Sequence, residues 1–283
     1  MKIAITGATG QLGNLVIEQL LQLTAAQNIV ALVRNVNKAE HFKAQGIELR
    51  EFDYDRPETL VPALLGIDKL LLISANEIGR RTPQHQAVID AAKVAGVPYL
   101  AYTSLLRADT SPLGLAQEHR ETEKLIQDSG ITYTFLRNNW YSENYLAGVD
   151  HTIEIGTLFG AAQDGRISSA SRIDYAEAAA RVLTSTVHDN QTYELAGSES
   201  FTRADLAQFI SQATHKSVIY QNLSADDLRQ CLIQASLPSH LIDVIVDADV
   251  QTAKGAMYSN SKDLEQLIGH KTTSIQDSIK AAL

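Results

Sequence analysis

Cysteine is almost absent: Cys231 is the only one in 283 residues. That excludes an internal disulfide framework and any multi-cysteine metal or iron–sulfur site. It fits a reducing compartment, so a cytoplasmic location is expected. The eight histidines show no H-E-x-x-H or clustered ligand spacing, so no metal is expected. Basic residues are outnumbered, 24 Lys plus Arg against 33 Asp plus Glu, for a net charge of −9. Such a field disfavours general binding to nucleic acid or anionic membrane. No apolar run approaches the roughly 18–20 residues needed to span a bilayer; Leu70 to Ile73 reads as a buried strand. Gly7 interrupts the N-terminus too early for a signal-peptide core. A G-x-S-x-G nucleophile elbow is missing too. What remains, 45% hydrophobic and 20% charged, is globular composition long enough for one or two domains.

The first half alternates short apolar runs with amphipathic stretches. Strands are expected at Ile3–Thr6, Ile29–Val33, Ile47–Phe52, Lys69–Ser74, Tyr99–Ser104 and Thr132–Leu136. Helices are expected between them at Leu12–Leu23, Lys38–Gln45, Pro57–Leu65, Pro83–Ala95 and Leu115–Asp128, four of them closed by Gly46, Gly66, Gly96 or Gly130. This rhythm predicts an α/β fold, a Rossmann-like doubly wound parallel sheet with a smaller, mixed C-terminal lobe. The expected division is residues 1–140 for the nucleotide domain and 141–283 for a substrate-side lobe, with segments crossing between them. In the second half helices are read at Tyr175–Ser185, Arg203–Ala213, Ala225–Ala235, Leu264–Ile268 and Ile275–Ala282, and strands at Thr192–Leu195 and Ser217–Tyr220.

Gly7-Ala8-Thr9-Gly10-Gln11-Leu12-Gly13 joins the first strand to the first helix. Glycine permits the tight turn and close approach of a pyrophosphate to the backbone, and the helix N-terminus favours the anion. Lying between a strand and an amphipathic helix, the motif reads as dinucleotide binding. An NAD site usually places an acid about 20 residues further on, yet none occurs between Glu18 and Glu40. The second strand ends instead in Arg34, with Lys38 nearby. A guanidinium there suits a ribose 2′-phosphate, so NADP(H) is the expected cofactor. Asp53 at the third strand's end reads either as a partner for the adenine amino group or as a turn former. Ser74, Ala75 and Asn76 follow the fourth strand and can line ribose and pyrophosphate.

Ser104 lies where many enzymes of this type carry the serine of a Ser…Tyr-x-x-x-Lys set, in which lysine lowers the tyrosine pKa. The Tyr-x-x-x-Lys partner is missing from the next helix; the only match, Tyr258…Lys262, lies far into the C-terminal part and reads as coincidence. A missing acid favours an acceptor such as a quinone, whose reduced anion is delocalised, or no turnover at all. His119 and Lys124 are open either as proton sources or as residues of a solvated helix face. The segment Asn138-Asn139-Trp140-Tyr141-Ser142-Glu143 leaves the sixth strand dense in amide, aromatic and hydroxyl groups. Amides can hold a carboxamide and aromatics can wall a flat pocket. Asn138, Trp140 and Tyr141 are therefore the expected positioning residues, with no acid or base assigned.

The opening Ile3–Gly13 run, Leu32-Val33-Arg34-Asn35, Leu71-Leu72-Ile73-Ser74, Tyr102-Thr103-Ser104, Ser111–Ala116, the His119–Lys124 helix, Leu136–Tyr145 and Leu267-Ile268-Gly269-His270 together resemble NmrA-like atypical short-chain dehydrogenases over nearly the whole chain. The resemblance implies NADPH without flavin, quinone reduction by direct hydride transfer, and nucleotide contacts at Gly7, Ala8, Thr9, Gly10, Gln11, Leu12, Arg34, Ser74–Asn76 and Asn138–Glu143. Asn139 departs from the pattern, where a small residue is common. A second reading is a non-catalytic NADP(H) redox sensor, as some NmrA-like proteins are. A third, action on another carbonyl or a sugar nucleotide, is disfavoured by the missing Tyr–Lys pair.

Overall fold

The computed structural model describes residues 1–283. Strands and helices alternate through the first half: β1 (Ile3–Ile5), α1 (Gln11–Leu23), β2 (Ile29–Val33), α2 (Glu40–Ala44), β3 (Glu48–Glu51), α3 (Leu60–Leu64), β4 (Lys69–Leu72), α4 (Arg81–Ala95), β5 (Tyr99–Leu105), α5 (Ala116–Ser129) and β6 (Thr132–Asn138). The second half continues with α6 (Ser142–Leu146), α7 (Val149–Ile155), β7 (Thr157–Gly160), α8 (Arg172–Thr184), β8 (Gln191–Leu195), α9 (Arg203–Thr214), β9 (Ile219–Asn222), α10 (Ala225–Gln234), α11 (Ser239–Ala253), α12 (Asp263–Ile268) and α13 (Ile275–Ala282).

Seven strands form one parallel sheet in the order β3-β2-β1-β4-β5-β6-β8. The order reverses between β1 and β4, which opens a crevice at the carboxyl ends of those strands. The fold is thus a Rossmann-like doubly wound α/β sheet. Its strands read as unbroken apolar runs because both faces are covered. Ile3, Ile5 and Leu71 pack on one face with Leu12, Val16, Ile17 and Leu20 of α1 and the alanine-rich side of α8. Ala4, Leu70, Leu72 and Leu100 pack on the other with Val88, Ile89 and Ala92 of α4 and Ile126 of α5.

After β6 the chain leaves the sheet and returns to it. α8 starts on a capping box, Ser171 with Asp174, and packs on α1. β8 then adds to β6, with Thr134 opposite Gln191 and Asn138 opposite Leu195. The remaining elements surround a separate core of Leu105, Tyr145, Leu158, Phe201, Leu206, Ile210, Met257 and Ile279. There β7 and β9 pair in parallel. Four elements lie outside the sequence expectation: the short helices α6 and α7, β7 and α11. β7 is four residues long, and α11 is a 15-residue helix built from a stretch rich in Ile and Val. β-branched residues there resemble a strand, but Ile242, Val246 and Asp249 share one buried helical face. No helix is long and apolar enough to cross a membrane.

Candidate dinucleotide site at the carboxyl edge of the sheet

The turn after β1 is built for close approach. Gly7 has φ +57°, a region L side chains rarely adopt. Its carbonyl accepts the Gly10 N–H at 2.8 Å. A Cβ on Gly13 would sit 2.3 Å from the Gly7 oxygen, so only glycine lets α1 start this close to the strand. The α1 N-cap, Gly10, contributes no side-chain bond, and the first turn has no acid. The leading N–H groups of α1, at Gln11, Leu12 and Gly13, therefore await an anion. Thr9, Gly10 and Gln11 are exposed beside them, while Ala8 and Leu12 are buried. Thr6 Oγ1 accepts the Ile73 N–H at 2.9 Å, tying this turn to the end of β4.

Arg34, just past β2, is exposed and makes no hydrogen bond or ion pair within the chain. Asn35 builds the turn that presents it: Oδ1 accepts the Asn37 N–H at 3.0 Å. Lys38 is exposed on the same short turn. Asp53 serves as a turn former, its Oδ1 accepting the Asp55 N–H at 3.1 Å. Tyr54 was not anticipated. Burial pushes its phenol up, with Thr6 and the Arg34 charge acting in the opposite direction.

Beyond β4, three side chains pin the backbone. The Ser74 N–H donates to Thr103 Oγ1 at 2.9 Å, the Ala75 N–H to His85 Nε2 at 2.9 Å, and Arg81 Nε donates to the Ala75 carbonyl. Asn76 remains exposed. Because Nε2 of His85 accepts, its proton sits on Nδ1, directed at Thr122 Oγ1 2.9 Å away. Thr122 in turn donates to the Glu118 carbonyl. Burial, helped by the Arg81 charge, pulls His85 down to about 3, so the ring stays neutral.

His119 and Lys124 lie in opposite settings, one buried and one solvated. His119 lies buried with its Nδ1 2.8 Å from the Tyr102 hydroxyl. Burial, Arg81 and His85 pull it down to about 3, so it is not an imidazolium donor at neutral pH. Lys124 faces solvent, paired with Asp128 at 2.8 Å. Ser104 donates to Glu123 at 2.6 Å. Glu123 also holds Arg137 through two bonds of 2.8 and 2.9 Å, and Arg137 reaches Glu194 at 2.8 Å. The serine therefore belongs to a buried ionic network rather than to a proton-transfer set. In place of a Tyr-x-x-x-Lys pair, the buried face of α5 carries His119 and Glu123.

At the end of β6 the expected residues divide. Asn138 is buried, beside the Tyr141 hydroxyl, and its Oδ1 has no partner. Such an orphan amide is an available acceptor for a ligand N–H. Tyr141 packs edge-on against Tyr175 at 5.4 Å, with the Arg172 guanidinium 4.7 Å over its ring. Asn139, also expected at the cofactor, is buried and bonded within the chain. Its Nδ2 donates to the Ser168 and Met257 carbonyls, and its Oδ1 accepts the Trp140 N–H. With both donors used internally, it ties the end of β6 to the Ser168 and Met257 segments. Trp140 packs on the C-terminal core. Ser142 is buried against Ser169 at 3.0 Å, and Glu143 accepts the Arg172 N–H at 2.9 Å, holding the start of α8.

A parallel sheet with an open amide cradle at its switch point, an unpaired cation after β2 and an orphan amide at the last residue of β6 defines a Rossmann-type dinucleotide-binding protein. Comparison with known proteins agrees. Residues 7–186 match the NAD(P)H-binding family. The chain is 54% identical over 277 residues to Quinone oxidoreductase 2 of Escherichia coli (strain K12), covering 98% of this chain and 97% of that one. It is 30% identical over 234 residues to an NmrA-like family domain-containing oxidoreductase of Aspergillus flavus, covering 80% and 76%. The crystal structure of the NADPH-dependent quinone oxidoreductase QOR2 from Escherichia coli, complexed with NADPH, superimposes with a TM-score of 0.97 at 53% identity over 99% of each chain. The chain belongs to the NAD(P)H-binding, NmrA-like family.

Proposed function

We propose that this protein is an NADPH-dependent quinone oxidoreductase that passes a hydride directly from the nicotinamide to a quinone, without flavin or metal. Its relation to the Escherichia coli enzyme over nearly the whole of both chains supports the activity. One structural observation carries the acceptor class. No acid–base pair stands free at the carboxyl edge: Ser104 is committed to Glu123, His119 is buried and neutral, and Lys124 is paired on a solvated face. A simple carbonyl would yield an alkoxide needing such an acid, whereas a quinone yields a delocalised anion that water can protonate.

In this reading the Gly7–Leu12 turn binds the diphosphate and Arg34 the 2′-phosphate. Ser74, Ala75 and Asn76 line the ribose, and Asn138 and Tyr141 position the carboxamide. Trp140, Asn139, Ser142 and Glu143 hold that segment in place. Bound NADPH supplies the hydride; the protein's part is to hold donor and acceptor rings face to face. Residues 1–140 act as the nucleotide domain and 141–283 as the substrate-side lobe, with α8 and β8 returning to the sheet. The setting is cytoplasmic, and the physiological partner is a small quinone. The missing acid also permits the sensor reading, but similarity to the Escherichia coli enzyme over nearly the whole of both chains does not favour it. The test is purified protein with NADPH and a panel of benzoquinones and naphthoquinones, following loss of reduced-nicotinamide absorbance. Turnover supports the reading; tight NADPH binding with no turnover on any quinone overturns it.

A further inference from the structure

Arg81 opens α4 at the carboxyl edge of the sheet, next to the β4 end. Its Nε donates to the Ala75 carbonyl, which fixes the guanidinium beside the turn that follows β4. The carboxylate of Glu118 reaches only backbone, accepting the Gly79 and Arg81 N–H groups at 3.1 Å each. The guanidinium enters no ion pair, and its Nη1 is buried without any partner. An arginine cannot shed its charge, so an unpaired, partly buried one is costly unless something anionic occupies its front. The groups that feel its field are His85 on α4, Tyr102 on β5, His119 on α5 and Tyr141 beyond β6. Arg81 is thus held at the β4 end by Ala75, and its charge is felt by Tyr141 beyond the β6 end, next to Asn138. None of these neighbours is an acid that could neutralise it.

We propose that Arg81 is a catalytic residue whose guanidinium stabilises the oxyanion formed as the quinone is reduced, replacing the proton donor this site lacks. The inference rests on the quinone-reductase reading. In the balanced step, the quinone gains one hydrogen and two electrons from NADPH and becomes the hydroquinone monoanion, leaving NADP⁺. The guanidinium donates hydrogen bonds to the anionic oxygen until a proton from water yields the neutral hydroquinone. A fixed donor aimed at developing charge stabilises the transition state more than the neutral substrate.

The variants are Arg81→Met, which removes the charge at similar length, and Arg81→Lys, which keeps it. Single-turnover reduction should slow about 100-fold in Arg81→Met and recover in part in Arg81→Lys. Calorimetric NADPH affinity, which also reports folding, should stay within about threefold of the parent protein. A second readout needs no turnover. Para-nitrophenol, a redox-silent mimic of the monoanion, is titrated spectroscopically on the protein with NADP⁺. Bound to the parent protein its phenolate should be favoured about tenfold, one pKa unit or about 1.4 kcal/mol, and Arg81→Met should abolish this. An unshifted phenol in a protein that reduces quinones overturns the proposal. So does a fall in NADPH affinity as large as the fall in rate, which would place the guanidinium on the cofactor phosphates. Absence of turnover in the parent protein would instead strike the quinone reading itself.

Discussion

Substituting Gly10 by Ala separates cofactor binding from folding. A Cβ at Gly10 would meet only the Gly7 carbonyl oxygen, at 3.1 Å, with nothing else within 4 Å. The backbone there is extended, φ −78° and ψ 168°, which alanine adopts without strain. The apo-protein should therefore lose only about 1 kcal/mol, the usual cost of alanine at an N-cap. That corresponds to about 2–4 °C in Tm for a chain of this size. The open space beside Gly10 is the mouth of the amide cradle, however, so the methyl group takes the position of a diphosphate oxygen. Displacing two charge-assisted bonds at about 1.5–3 kcal/mol each should weaken NADPH by about 100-fold or more. Gly13→Ala is the contrast. Its Cβ would lie 2.3 Å from the Gly7 oxygen and 2.9 Å from the Ala8 Cα, both backbone atoms. It should cost stability first, about 3 kcal/mol at the upper end for overpacking. Thermal unfolding and calorimetric titration on the same preparations read both quantities. Parent-like NADPH affinity in Gly10→Ala would show that the diphosphate does not rest on this turn.

Arg34→Asp should weaken NADPH at least tenfold more than NADH, because no other side chain pairs with Arg34 and the new carboxylate repels a 2′-phosphate; equal losses for both cofactors would remove Arg34 from the ribose site. Asn138→Ala removes the buried orphan acceptor and should slow hydride transfer about tenfold or more with Tm little changed; unaltered single-turnover kinetics would exclude it. Acid should destabilise the fold through His85 and His119, both held at about 3 against an ordinary 6.5. Between those values the unfolded chain binds more protons, so stability rises with pH across that window and is lost on acidification; above 6.5 neither ring contributes. At about pH 5 each ring should cost about 2 kcal/mol. Denaturant unfolding at neutral and acid pH checks this: His119→Gln should flatten the slope, and an unchanged slope would mean that the ring is solvated.

The Rossmann half could be read from the chain because its signals are local. Apolar strands such as Leu70–Ile73 are short, helices such as Pro83–Ala95 end at a glycine with positive φ, and the Gly7–Gly13 spacing sits between them. α11 escaped the reading because Val244-Ile245-Val246 carries strand chemistry, and its buried stripe includes a charged residue, Asp249. Asp249 is buried only because Arg203 meets it from α9 and the Ala161 N–H from the end of β7. The periodicity of Ile242, Val246 and Asp249 was the available signal, but an acid on a core face reads as a break in it.

The cofactor class was determined by the sequence alone. A missing acid after β2, an arginine in its place and a glycine turn before α1 are properties of consecutive residues, and the backbone geometry follows from them. The fate of the polar side chains was decided only by the tertiary structure. Asn138 and Asn139 are adjacent and chemically identical, yet one amide oxygen lacks a partner and the other side chain bridges the Ser168 and Met257 carbonyls. Nothing in the local sequence distinguishes them. Successive residues of a strand point to opposite sides, and what waits on each side is brought there by segments tens to more than a hundred residues away. The same holds for His119, open in the sequence as either a proton source or a residue of a solvated helix face, which the structure buries against Tyr102.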